Sequence, residues 1–157
     1  MSSVSVPQQW RFDHAGVVVK SLEKGRKHFS EALGVNDWSH PLVDRVNGVH
    51  LQFGRDASLM VYELLSPLDA DSPVAGALAA RKNLLNHVAY RVRDLAEAAA
   101  ALRDARCFPA GEPKPAIAFG GAMIQFFVTP IDTIVELIEA YDFAHDFRPL
   151  AVSQGER

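Results

Sequence analysis

Two histidines and two glutamates carry the chemistry open to this chain. His14 lies in DHAGVVVKSLEKGRKHF and His87 in NHVAYRVRDLAEAAAAL, and an offset of 73 residues superposes them. The same offset places Glu63 on Glu136, Gln52 on Gln125, Phe53 on Phe126, Gly48 on Gly121 and Leu64 on Leu137. A single histidine in an apolar strand is ordinarily a hydrogen-bonded core or surface residue. Two imidazoles and two carboxylates at matched positions are instead a ligand set for one divalent metal ion, and Zn, Ni, Co, Mn or Fe would suit it. The ion would also compensate carboxylates whose burial alone is costly. The competing reading makes Glu63 and Glu136 edge-strand carboxylates that face water and discourage edge pairing.

The elements that must position these residues are duplicated as well. Each half begins with a strand, residues 11–19 or 85–92, followed by a helix with Ser21 or Asp94 as N-cap. Strand-like runs follow at 36–46, 47–54 and 58–65, and again at 106–113, 120–128 and 132–140. A period of 73 is too long for a solenoid unit and fits a duplicated βαβββ module. The expected fold is α+β, with two tandem βαβββ modules forming a cup-shaped mixed sheet. The modules are assigned to 10–66 and 84–141, a linker with a short helix to 67–83, and a peripheral, partly disordered tail to 142–157.

Side chains two apart in a strand share a face. Alternation therefore groups His14 with Phe12, Gly16 and Val18, and His87 with Leu85, Ala89 and Arg91. Glu63 falls with Leu59, Val61 and Leu65, and Glu136 with Ile134 and Ile138. The opposite faces carry Val17, Val19, Tyr62, Leu64, Val88, Tyr90, Val92, Val135 and Leu137, an apolar set suited to packing under the helices, with Leu22, Phe29 and Leu33 as the stripe of the first helix.

Composition narrows the partners. The chain has 157 residues, 48% hydrophobic and 22% charged, enough for one compact domain or two fused modules. A net charge of -3 gives no reason to expect nucleic acid or an anionic membrane, and a small molecule is the expected ligand. No apolar run approaches a membrane span and MSSVSVPQQW lacks a signal-peptide pattern, so a cytoplasmic location is expected. The one cysteine, Cys107, excludes an internal disulfide or a cysteine-built metal cluster.

At His14, Glu63, His87 and Glu136 the chain resembles the vicinal oxygen chelate superfamily, which contains glyoxalase I, methylmalonyl-CoA epimerase, extradiol dioxygenases and bleomycin or fosfomycin resistance proteins. The resemblance spans residues 10–141, and the stretch YELLSPLDADSPVAGALAARKN before LNHVAYRV is similar to the epimerase branch. It implies a metal held by those four residues, a homodimer, and a Lewis-acid reaction that removes the proton next to a carbonyl. Epimerase-like members carry a free glutamate on the third strand, where GVHLQFG offers His50 and Gln52. A ligand glutamate must then serve as base, and the resemblance favours Glu136 over Glu63, with His50 as auxiliary base. Arg91, Gln52 and Gln125 are the expected substrate-binding residues. Two functions stay open: a metal-dependent isomerase, epimerase or lyase of small acyl-thioesters or 2-oxo compounds, and a non-catalytic ligand-binding protein of the resistance type.

Overall fold

The structure, a computed structural model, describes residues 10–149. The expectation about VSQGER lies outside them. The first module contains β1 (Arg11–Val18), α1 (Leu22–Leu33), β2 (Asp37–Trp38), β3 (Leu42–Asp44), β4 (Val49–Arg55) and β5 (Val61–Pro67). After α2 (Ala75–Ala80) the second repeats the order with β6 (Leu85–Arg91), α3 (Leu95–Asp104), β7 (Phe108–Pro109), β8 (Lys114–Ala116), a 3-10 turn (Ile117–Phe119), β9 (Ala122–Val128) and β10 (Ile134–Ile138). A last short strand, β11 (Arg148–Pro149), closes the described chain. The run at 36–46 is split into β2 and β3 on either side of Ser39–Pro41, and in 106–113 only Phe108–Pro109 is strand.

All strands belong to one mixed sheet whose main path is β11-β2-β4-β5-β1-β6-β10-β9-β7. The central pair, β1 and β6, is antiparallel, and each is flanked by a parallel partner, β5 or β10. That arrangement is two βαβββ modules joined through their first strands. No helix among the described residues is long and apolar enough to cross a membrane.

The module helices α1 and α3 start as their sequences require. The Ser21 side chain accepts from the Lys24 amide at 3.2 Å and the Asp94 side chain from that of Glu97 at 3.0 Å, which satisfies a free donor of each first turn. Phe29 of α1 packs on Val35, Trp38 and Leu64, with Val17, Val19, Leu22 and Tyr62 alongside. Leu95, Ala98 and Ala99 of α3 pack on Val92, Phe127 and Leu137, with Val135 alongside. Leu33, expected in the stripe, is half-exposed. The other face of the sheet holds the third core, which includes Val18, Val49, Leu51, Phe53, Leu65, Ala89, Ile124 and Ile138.

On β4 the apolar residues Val49, Leu51 and Phe53 face the inside of the cup, so His50 and Gln52 point to the helix side. This corrects the expectation that those two line a ligand site: the apolar parity is the inner one because the cup itself is an apolar core. Gln52 accepts from the Arg26 guanidinium at 2.9 Å and donates to the Ser39 carbonyl at 2.7 Å. Its repeat counterpart Gln125 donates to the Gly111 carbonyl at 3.0 Å. Both glutamines anchor the backbone of the loop between the two short strands of their module, β2 and β3 or β7 and β8, and neither is free for substrate. Gln52→Ala strands the partly buried Ser39 carbonyl and the Arg26 guanidinium and is expected to lose about 1–3 kcal/mol in denaturant unfolding. Gln125→Ala should move in the same direction, and unchanged midpoints for both would count against the anchoring role.

Candidate metal centre

The four chemical residues meet at the middle of the sheet in two matching rows. One row runs Phe53, Glu63, Gly16, His87 across β4, β5, β1 and β6. The other runs Phe126, Glu136, Ala89, His14 across β9, β10, β6 and β1. Adding the repeat offset to the first row's Phe53, Glu63 and Gly16 gives Phe126, Glu136 and Ala89, and subtracting it from His87 gives His14, so the rows are related by a pseudo-twofold axis between β1 and β6. Nε2 of His14 and Nε2 of His87 lie 3.1 Å apart. Glu63 Oε1 is 3.5 Å from each, and Glu136 Oε2 is 3.9 Å from His14 and 3.4 Å from His87.

Small residues between the ligands permit this approach. A Cβ on Gly16 would stand 2.1 Å from Cε1 of His87. The matched Ala89 has no solvent exposure.

Two irregularities in β1 and β6 orient the imidazoles. The register passes from Phe12↔Tyr90 to His14↔Ala89 and from Gly16↔His87 to Val17↔Leu85, which leaves Asp13 and Asn86 without cross-strand partners. Each is an extra residue in its strand, as in a β-bulge. Asp13 Oδ2 accepts from Nδ1 of His14 at 2.6 Å, and Asn86 Oδ1 accepts from Nδ1 of His87 at 2.9 Å. With Nδ1 donating, Nε2 is the nitrogen that carries the lone pair in each neutral imidazole, and it is turned toward the centre. The bulges also put Phe12 and Leu85 on the helix side, against the expectation from strict alternation. Leu59 falls in the turn before β5 and is exposed.

The donor set fits a divalent ion. All four ligand atoms lie within 4.8 Å of one another, and a tetrahedral site with bonds of about 2.1 Å has ligand separations of roughly 3.4 Å. Burial is the largest single influence on the ionisation of each group, and it favours the neutral form. In Glu136 burial prevails and raises the carboxyl to about 8. In Glu63 it is outweighed by the charge and hydrogen bond of His14, which hold that carboxyl low. His14 is raised to about 10, since the Glu63 charge and the Asp13 hydrogen bond overcome its burial, whereas burial keeps His87 low. Without an ion, a proton on His14 supplies the positive charge that the carboxylates require.

A model of the glyoxalase/bleomycin resistance protein/dioxygenase superfamily matches residues 13–126. The chain belongs to that superfamily. It is 31% identical over 134 residues to the mitochondrial methylmalonyl-CoA epimerase of Bos taurus, covering 83% of this chain and 74% of that protein. It is 33% identical over 94 residues to the uncharacterized protein YqjC of Bacillus subtilis, covering 60% of this chain and 66% of that one. Among solved structures, a Streptomyces coelicolor methylmalonyl-CoA epimerase in complex with 2-nitronate-propionyl-CoA superposes with a TM-score of 0.66 at 27% identity, covering 82% of this chain and 92% of that one.

Within this superfamily fold, a cavity of about 270 Å³ opens onto the cluster. Glu63, His87 and Glu136 line it, with a largely apolar wall that includes Leu51, Ile124 and Phe126, and Lys114 stands at its exposed rim. His14 does not line it. Arg91, expected to grip substrate, is engaged elsewhere: its Nε lies 2.9 Å from Asp13 Oδ1, and its Nη1 donates to the carbonyls of Tyr141 and Phe143 at 2.9 and 2.5 Å. The bulge brings Asp13 within its reach, a contact that strand alternation hides. Sequence reasoning also missed Asp13 itself, whose signal was its repeat match to Asn86. It missed His145 too, which lies beyond the repeat and left no signal.

Protein purified without chelator is expected to hold about one divalent ion per chain by elemental analysis. Gly16→Ala should displace His87 and, like His87→Ala, lower affinity by an order of magnitude or more. Because binding must displace protons from His14, raised to about 10, and Glu136, raised to about 8, apparent affinity should rise with pH up to about 10, most steeply below about 8, with proton release seen as a buffer-dependent heat in calorimetry.

Proposed function

We propose that this protein is a metal-dependent isomerase or epimerase that exchanges the proton next to the carbonyl of a small acyl-thioester, with 2-methyl-branched acyl-CoA as the preferred class and 2-oxo compounds as the glyoxalase-like variant. The observation that carries the reading is the placement of Glu63 and Glu136 on opposite sides of one ligand cluster, both opening onto the same apolar cavity. The epimerase relatives support it.

What a divalent ion supplies in such a site is Lewis acidity toward substrate oxygens, which lowers the cost of negative charge beside the carbonyl. The residues do the rest. The cavity takes the branched acyl end, and the apolar walls of β4 and β9 keep water from it. Glu136 removes the proton through its carboxylate oxygen, breaking C–H and forming O–H, and the pseudo-twofold places Glu63 on the other face of the same carbon, where it returns a proton only after its carboxylate has taken one up from solvent. Glu136 is assigned the base because the last-strand glutamate has that role in the isomerases this chain resembles, and because β4 offers only Val49, Leu51 and Phe53 to the interior.

That apolar β4 also favours the second reading, a ligand-binding protein of the resistance type, since it supplies no base beyond the ligands. We also infer a homodimer. The half-exposed Phe12 and Val88 and the exposed Leu85 form an apolar strip on the outer side of the central strands, and sedimentation at tens of micromolar should show about twice the chain mass.

The test is deuterium wash-in from D₂O into methylmalonyl-CoA and into a 2-oxo thiohemiacetal, followed by mass spectrometry. The metal-loaded protein should exchange one of them, and Glu136→Gln should slow exchange by ~10²-fold or more while retaining metal. No exchange of either by loaded protein would move the assignment to the ligand-binding reading.

A further inference from the structure

The repeat is symmetric at the ligands but not behind them. His87 is backed by Asn86, a neutral amide, whereas His14 is backed by the carboxylate of Asp13. Asp13 is 5% exposed and takes two further groups: Arg91 at 2.9 Å on Oδ1, and His145, whose Nε2 lies 3.0 Å from Oδ1 and 2.9 Å from Oδ2. The hydrogen bonds from His14 and His145 outweigh its burial and hold the carboxyl well below its ordinary range.

His145 has no counterpart in the first module. It sits on a strap that leaves β10, crosses the cup and ends in β11 paired antiparallel to β2, with Arg148 opposite Trp38 and Pro149 opposite Asp37. Residues 142–149, which composition assigns to a peripheral tail, are thus built into the fold. Arg91 holds the start of the strap through the carbonyls of Tyr141 and Phe143. Aromatic residues of the strap and of β4 enclose His145: ring centroids of Phe53, Phe143 and Phe147 lie 4.4, 5.1 and 5.4 Å from that imidazole. Phe119 stacks on His14 at 6.2 Å and meets Phe143 at 4.9 Å. His14 therefore faces the strap, and His87 faces the cavity.

We infer that His145 is a positioning residue of the metal centre: by fixing the Asp13 carboxylate it locks the Nδ1–H tautomer and ring angle of His14, making His14 the anchoring ligand and His87 the substrate-side one. The inference rests on the reading of His14 as a ligand. The physical reason is the short Asp13 bond, which increases electron density at Nε2 only while the carboxylate stays in the imidazole plane. Without His145, the partners left to the carboxylate would be His14 on Oδ2 and the Arg91 Nε on Oδ1, an ion pair without hydrogen-bond geometry, and it would be free to turn. With donors on both oxygens it is fixed.

The experiment measures Zn²⁺ affinity of the full chain by competition with a chromophoric chelator, together with the imidazole Nδ1–H resonances by NMR. His145→Ala is expected to weaken binding by tenfold to a hundredfold and to abolish or shift the downfield His14 Nδ1–H signal. His145→Gln, whose amide can still donate to Asp13, should recover most of the affinity and the signal. A His145→Ala affinity within about twofold of wild type would overturn the role, as would a His145→Gln protein as weak as the alanine variant, since the contribution would then be packing alone. Wild-type protein that takes up no Zn²⁺ would overturn the ligand reading together with this one. Uptake by wild type with an unchanged His145→Ala variant overturns this one only.

Discussion

Charge compensation at one buried point governs this structure. His14, Glu63, His87 and Glu136 are each 5% exposed or less, and their ligand atoms lie within 4.8 Å of one another. Two carboxylates at that spacing repel strongly in a weakly screening interior, and no apolar packing offsets the repulsion. A proton on Glu136, a proton on an imidazole or a divalent ion at the same point relieves it. The tight rows across the sheet, the glycine against which His87 lies and the bulges that free Asp13 and Asn86 all serve to bring four groups to that point.

Duplication makes this economical. One module supplies a histidine from its first strand and a glutamate from its last, and pairing the first strands antiparallel brings two such sets together about a pseudo-twofold axis. The axis also places the glutamates on opposite sides of the central strand pair. Asymmetry is added on top of the repeat: an aspartate behind one histidine and an asparagine behind the other, a strap over one and a cavity beside the other. Superfamily membership sets the frame for such a site, and the inner face of β4, with Val49, Leu51 and Phe53, adds no titratable group to it.

The sequence by itself determined the module order, the helix N-caps and the four residues of the cluster, because each leaves a local or periodic mark. Ser21 and Asp94 precede apolar-periodic runs, and the 73-residue offset ties His14 to His87 and Glu63 to Glu136 without reference to three dimensions. Only the tertiary structure decided which face of β4 is the inside, that Gln52 and Gln125 anchor loops, and that Arg91 and His145 converge on Asp13. Alternation assumes an unbroken strand, so one inserted residue at Asp13 or Asn86 reverses the face of everything before it. The contact between Asp13 and His145 spans 132 residues and has no repeat counterpart, so nothing periodic in the chain announces it, and it exists only because the strap must cross the cup to reach β2.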